Sequence, residues 1–183
     1  MNYKKYFDSY KNSINSLLDL VDPNLIEESV LLIKEKILNK NKIYIVGNGG
    51  SSSIASHVSV DFSKVANVPC STFNNSNLIT CFANDYGYDM WVKEAIKAYS
   101  SKNDLFILIS SSGKSMNIVN AANYCKDKKI KLITLSGFNN TNPLNQIGNV
   151  NFHVNSEDYN FIEMTHHIIL VSIVDIFTKE YYL

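Results

Sequence analysis

The chain has 183 residues, 45% hydrophobic and 19% charged, and its 17 basic and 17 acidic side chains leave a formal net charge of zero. That length suits one domain with a sizeable core. The composition excludes a disordered chain, and the charge balance argues against a nucleic-acid binder working through a broad basic face. Three widely spaced cysteines, Cys70, Cys81 and Cys125, form no CxxC pair. Neither a zinc knuckle nor a disulfide framework is indicated, and a reducing cytoplasm is the expected setting. The N-terminal residues lack the apolar core of a signal peptide. The longest candidate span, the mainly apolar residues 168–176, is about half of the roughly 20 residues a membrane span needs, so no membrane partner is expected.

Tyr6, Tyr10, Ile14, Leu17 and Leu18 give residues 3–20 the spacing of an amphipathic helix. Asp22-Pro23 reads as a cap followed by a first-turn proline, and residues 25–38 as a second helix with Ile26, Val30, Ile33 and Ile37 on one side. These helices, within residues 1–41, are expected to cover the sheet or meet another subunit. Over 42–183 strands and helices alternate. The pattern predicts strand 43–46, helix 52–65, a weaker strand 67–73, a helix 78–83 and the turn Asn84-Asp85-Tyr86-Gly87. Helix 90–99, strand 104–110, helix 115–127 and strand 130–136 follow, then a loop with a helical turn from Pro143, strand 150–154 and a long helix 160–181. Apolar strands separated by helices predict one α/β domain, a three-layer sandwich with a doubly wound, parallel five-stranded sheet.

Ligands of such sheets sit at the carboxyl ends of the strands, where this sequence has two unusual turns. Gly47-Asn48-Gly49-Gly50-Ser51 follows the first strand, and Ser110-Ser111-Ser112-Gly113-Lys114-Ser115 follows the most apolar one. The first is not a GxGxxG fingerprint, because the third glycine is missing, and it has no GK[ST] of a P-loop. Both join a strand to a helix whose first N–H groups lack partners and carry the positive end of the macrodipole. Hydroxyls and consecutive N–H groups in the second turn suit a phosphate monoester. Two serine-capped helices without a ligand would look the same locally; two such turns on one edge argue for a site with two walls.

With Ala83-Asn84-Asp85-Tyr86-Gly87-Tyr88 between them, the two turns make the chain resemble the sugar isomerase (SIS) domain family, and within it the phosphoheptose isomerases. The resemblance covers nearly the whole chain, including the two N-terminal helices. It implies a flavodoxin-like SIS fold and an aldose–ketose isomerase acting on a heptose phosphate or similar phosphorylated sugar. It further implies a role in nucleotide-sugar supply for surface polysaccharide, and active sites shared between the subunits of a dimer or tetramer. By position, Ser110, Ser111, Ser112 and Ser115 are implied to hold the phosphate. Asn48, Gly49, Gly50 and Ser51 are implied to contact the sugar, with Asn84 and Asp85 near its hydroxyls.

In that family a histidine and a glutamate four residues on, with a glutamine and a histidine eight residues on in the last helix, surround a zinc ion in many members. Here the four positions are His57, Asp61, Glu163 and Val171. Asp61 is expected as general base, assisted by His57 and Glu163, with Glu163 also facing substrate. His57 with Asp61 and Glu163 with His167 are i,i+4 pairs on their helices, and the four are candidate ligands for zinc. Valine neither moves protons nor binds metal. The competing expectation is therefore a non-catalytic sugar-phosphate-binding regulator or scaffold, like the related initiator-associating SIS protein.

Overall fold

The computed structural model describes residues 1–181. Five parallel strands, β1 (Ile43–Gly47), β2 (Cys70–Ser71), β3 (Leu105–Ser110), β4 (Lys131–Gly137) and β5 (Val150–Val154), lie in the order β2-β1-β3-β4-β5. The helices are α1 (Tyr3–Leu18), α2 (Pro23–Leu38), α3 (Gly49–Lys64), α4 (Ser76–Tyr86), α5 (Trp91–Tyr99), α6 (Met116–Lys128) and α7 (Tyr159–Tyr181). This is the three-layer arrangement the apolar runs predict.

The strand side chains divide between two cores with the period of two that a pleated strand imposes. Ile43, Ile45, Leu105, Ile107, Ile109, Ile133 and Leu135 pack against α2, α3 and α7. Tyr44, Val46, Phe106, Leu108 and Leu132 pack against α5 and α6. Three strands, β1, β3 and β4, are buried almost throughout, which is why they read as continuous apolar runs.

The chain leaves β1 towards one face, into α3, and leaves β3 towards the other, into α6. Neighbouring strands whose connections diverge open a crevice at their carboxyl ends. The two glycine-serine turns stand on either side of that crevice.

Four boundaries differ from the sequence expectation. Helix α3 begins at Gly49, so the glycine-serine run is its first turn and not a preceding loop. Helix α4 continues to Tyr86, taking in Asn84 and Asp85, and stops at Gly87 with φ 84°. Strand β2 is only two residues long, pairing with Ile43 and Tyr44; Pro69, beside it, has no N–H for a ladder. Residues 143–147 form turns, not a helix. Helix α7 is long and apolar enough to cross a membrane. It is instead a core helix, burying Ile162, Ile169, Leu170, Ile173, Val174 and Phe177.

Candidate active site

The crevice holds a cavity of about 240 Å³ lined by Asn48, Gly49, Gly50, Ser51, Ile109, Ser110, Ser111, Ser112, Ser115, Tyr159 and Glu163. Of the eleven residues expected to contact substrate, the nine in the two turns and α7 stand here together; Asn84 and Asp85 do not. Those two lie exposed in the last turn of α4, where Asn84 Nδ2 donates to Asp85 Oδ1 at 3.0 Å.

The first wall is built by β1 and α3. Asn48 has extended backbone (φ −112°, ψ 153°) and its side chain does not cap the helix. Instead it exchanges two hydrogen bonds of 3.0 Å with the buried amide of Asn117 on α6, and Oδ1 also accepts from the Tyr88 hydroxyl at 3.3 Å. This amide pair ties the two walls together across the crevice. A Cβ at Gly50 would overlap the Glu163 carboxylate, so the glycine is what lets that side chain lie against the start of α3.

The second wall is the turn from β3 into α6. Ser110 Oγ donates to Ser115 Oγ at 3.0 Å. Ser111 Oγ donates to Glu163 Oε1 and sits near Ser51 Oγ, both at 3.3 Å. Gly113 takes φ +65°, and Ser115 leaves the first N–H groups of α6 without a side-chain cap. Serine hydroxyls therefore line a polar crevice beside the positive end of α6, which is the chemistry of an oxyanion cradle.

Two turns further along α3, His57 meets α7. Its Nδ1 lies 2.7 Å from His167 Nε2, and its Nε2 lies 3.2 Å from Asp61 Oδ2. With Nε2–H donating to Asp61, Nδ1 is left to accept from His167 Nε2–H, so the three side chains form a chain of polarised hydrogen bonds. The His57 side chain is 54% exposed and that of Asp61 31%. Partial burial, then the neighbouring His57, lowers the His167 pKa, with Asp61 opposing. Val171, one turn beyond His167, packs against the apolar core.

A zinc ion needs ligand atoms converging at about 2.0–2.2 Å in a tetrahedron. Here the two nitrogens of His57 are engaged by different partners, and Glu163 turns to Ser111 and Gly50. Among the described residues no group of three or more His, Cys, Asp or Glu is placed to hold a metal ion. As placed, His57, Asp61, Glu163 and His167 do not fit zinc.

Behind the site, His166 is fully buried, its Nε2 3.1 Å from the Ser136 carbonyl and its Nδ1 without a partner. Burial lowers its pKa from 6.5 to about 4, against the Ser136 hydrogen bond and with a small push from His153. Between those values the unfolded chain binds more protons, so stability should fall as pH drops from about 6.5 towards 4. The expected slope approaches about 1.4 kcal/mol per pH unit. Urea unfolding across that range, with and without His166→Gln, checks this; a flat wild-type profile would contradict it.

Sequence reasoning missed Asn117 and Tyr159. A polar residue on the buried face of α6 was a readable signal for Asn117; Tyr159 carried none.

Residues 5–137 match the SIS domain family. The chain is 35% identical over 147 residues to a phosphoheptose isomerase of Buchnera aphidicola, covering 75% of this chain and 76% of that one. It is 30% identical over 182 residues to one of Aliarcobacter butzleri, covering 96% and 95%. A solved phosphoheptose isomerase of Francisella tularensis superposes with a TM-score of 0.84 at 24% identity, over 98% of this chain and all of that one. On its sequence, its fold and the placement of both turns, this chain belongs to the SIS domain family, in its phosphoheptose isomerase group.

Proposed function

We propose that the protein is a phosphosugar aldose–ketose isomerase that binds its substrate's phosphate at the Ser110–Ser115 turn. The Asn48–Ser51 wall contacts the sugar. The observation carrying this reading is that α3 supplies both the Gly50 wall and, seven residues on, His57. At 1.5 Å per residue that is about 10 Å, and an open-chain sugar phosphate likewise has its carbonyl at the end opposite its phosphate.

In the aldose-to-ketose direction the C2–H bond breaks and its proton passes to a base. The electron pair forms C1=C2 while the carbonyl oxygen on C1 takes a proton. The enediol then gives up the proton on O2 as C1 receives one, leaving a C2 ketone. Asp61, through His57, is the proposed source of basicity. Glu163, which accepts from Ser111 at the cavity wall, is the proposed partner for the substrate oxygens that gain and lose protons. Val171 supplies no proton-transfer group, which favours the regulator reading as the alternative.

Five-, six- and seven-carbon sugar phosphates incubated with the protein in D2O separate the two readings. Deuterium entering at C1 or C2 supports isomerase activity; binding without exchange for every sugar supports a regulator. The setting proposed is cytoplasmic, in the supply of sugars for surface polysaccharide. The assembly proposed is a homo-oligomer with shared sites. Its support is α1, which buries no residue and exposes Tyr3, Tyr6 and Phe7.

A further inference from the structure

The phosphate turn is shaped from behind by a residue that does not line the cavity. Asn142, in the loop between β4 and β5, is 4% exposed. Its Nδ2 donates to Ser136 Oγ, Gly137 O and Asn139 O at 3.2, 3.1 and 2.8 Å. Its Oδ1 accepts from the N–H groups of Leu144 and Asn145 at 3.1 and 2.9 Å. The side chain is thus fully satisfied, and its amide is pressed against Gly113, where a Cβ would overlap it.

The same loop is stitched to the turn through the backbone. Leu144 N–H donates to Gly113 O at 3.1 Å, and Gly137 N–H donates to Ser111 O at 2.8 Å. Ser136 is the sheet neighbour of Ser110, and its carbonyl also receives His166 from α7. A turn with left-handed φ at Gly113 is otherwise free to relax, because glycine explores both signs of φ. An anion cradle works only if its donors are already aimed.

We infer that Asn142 is a positioning residue for phosphate binding: it holds the 110–115 turn in its anion-binding shape through Gly113. The inference rests on the assignment of that turn as the phosphate site. Removing Asn142 takes a donor from buried Gly137 O and the acceptor from the Asn145 N–H, leaves the Leu144 N–H with Gly113 O alone, and opens space under Gly113.

Inorganic phosphate is titrated into the 15N-labelled protein, and KM and kcat are measured with a sugar phosphate that the wild type turns over. Asn142→Ala is expected to weaken phosphate binding about tenfold, the effect of one buried hydrogen-bonding group. KM should rise in proportion with kcat little changed, because the reacting carbons lie at the far end. Asn142→Asp keeps the size and both acceptor bonds but turns lone pairs towards three oxygens, so it should weaken binding at least as much; it carries the test where the alanine variant fails to fold. In the wild type, phosphate should also slow hydrogen exchange at the Leu144 and Asn145 amides, which a purely structural side chain would not produce. Unchanged phosphate affinity in either folded variant, or no added protection at those amides, overturns the inference alone. A wild type whose 110–116 amides ignore phosphate overturns the site assignment and the inference with it.

Discussion

Asp61→Asn is expected to lower kcat by about 10²- to 10⁴-fold, the range for loss of a general acid–base group, with sugar-phosphate affinity nearly unchanged. Asparagine keeps the shape of aspartate but neither its charge nor its proton affinity. Asp61 faces His57 Nε2 at 3.2 Å and so fixes which nitrogen of that ring carries the hydrogen. An amide can offer its NH2 to Nε2 as well as its oxygen, so Nε2–H is no longer enforced, and the 2.7 Å contact with His167 loses its defined polarity. Binding should survive because Asp61 does not line the cavity that the two turns enclose. Steady-state kinetics alongside an equilibrium binding assay check this. Near-normal turnover by the variant would remove Asp61 from its proposed role.

Gly113→Ala should cost the protein both stability and phosphate affinity. Its φ of +65° is a left-handed conformation, for which alanine is penalised by about 1–2 kcal/mol. Its Cβ would also overlap the amide of buried Asn142, adding overpacking of about 1–3 kcal/mol. The adjacent turn must shift to relieve the overlap, so the serine donors lose their aim. A loss of about 3 kcal/mol by denaturant titration, with phosphate affinity down by more than about tenfold, is expected. Gly49→Ala is the control. Gly49 also has positive φ, +52°, but nothing lies within 4 Å of its Cβ position, so only the strain of about 1 kcal/mol applies. Equal effects from the two substitutions would show that the Asn142 contact is immaterial.

The sheet was legible because β1, β3 and β4 are buried on both faces and leave apolar runs that admit no other period. The start of α3 was not legible. Gly49, Gly50 and three serines are poor helix formers, and the helix begins there because β1 delivers the chain at Asn48 in extended conformation. Asn84-Asp85-Tyr86-Gly87 reads as a turn by composition, yet only Gly87 leaves the helix. The cavity walls were legible since serines and glycines at two strand ends mark where N–H groups go unpaired.

What joins those walls was hidden. Asn48 and Asn117 are 69 positions apart, and their pairing follows from the β1–β3 crossover alone. Asn142 belongs to a loop that composition describes only as turn-forming. The four candidate metal ligands are not brought together, for a related reason. Helical spacing puts His57 near Asp61 and Glu163 near His167, but the packing of α3 on α7 engages His57 and Glu163 with different partners.

The central claim is that the Ser110–Ser115 turn holds a sugar's phosphate while α3 and α7 address its carbonyl end. A crystal structure of the protein with a sugar phosphate bound tests it most directly. The account predicts phosphate oxygens within hydrogen-bond distance of the Ser112 and Ser115 hydroxyls and the first N–H groups of α6, with C1 and C2 directed towards His57 and Glu163. Phosphate bound away from that turn, for instance among Lys126, Lys129 and Lys131 at the opposite end of α6, would contradict it.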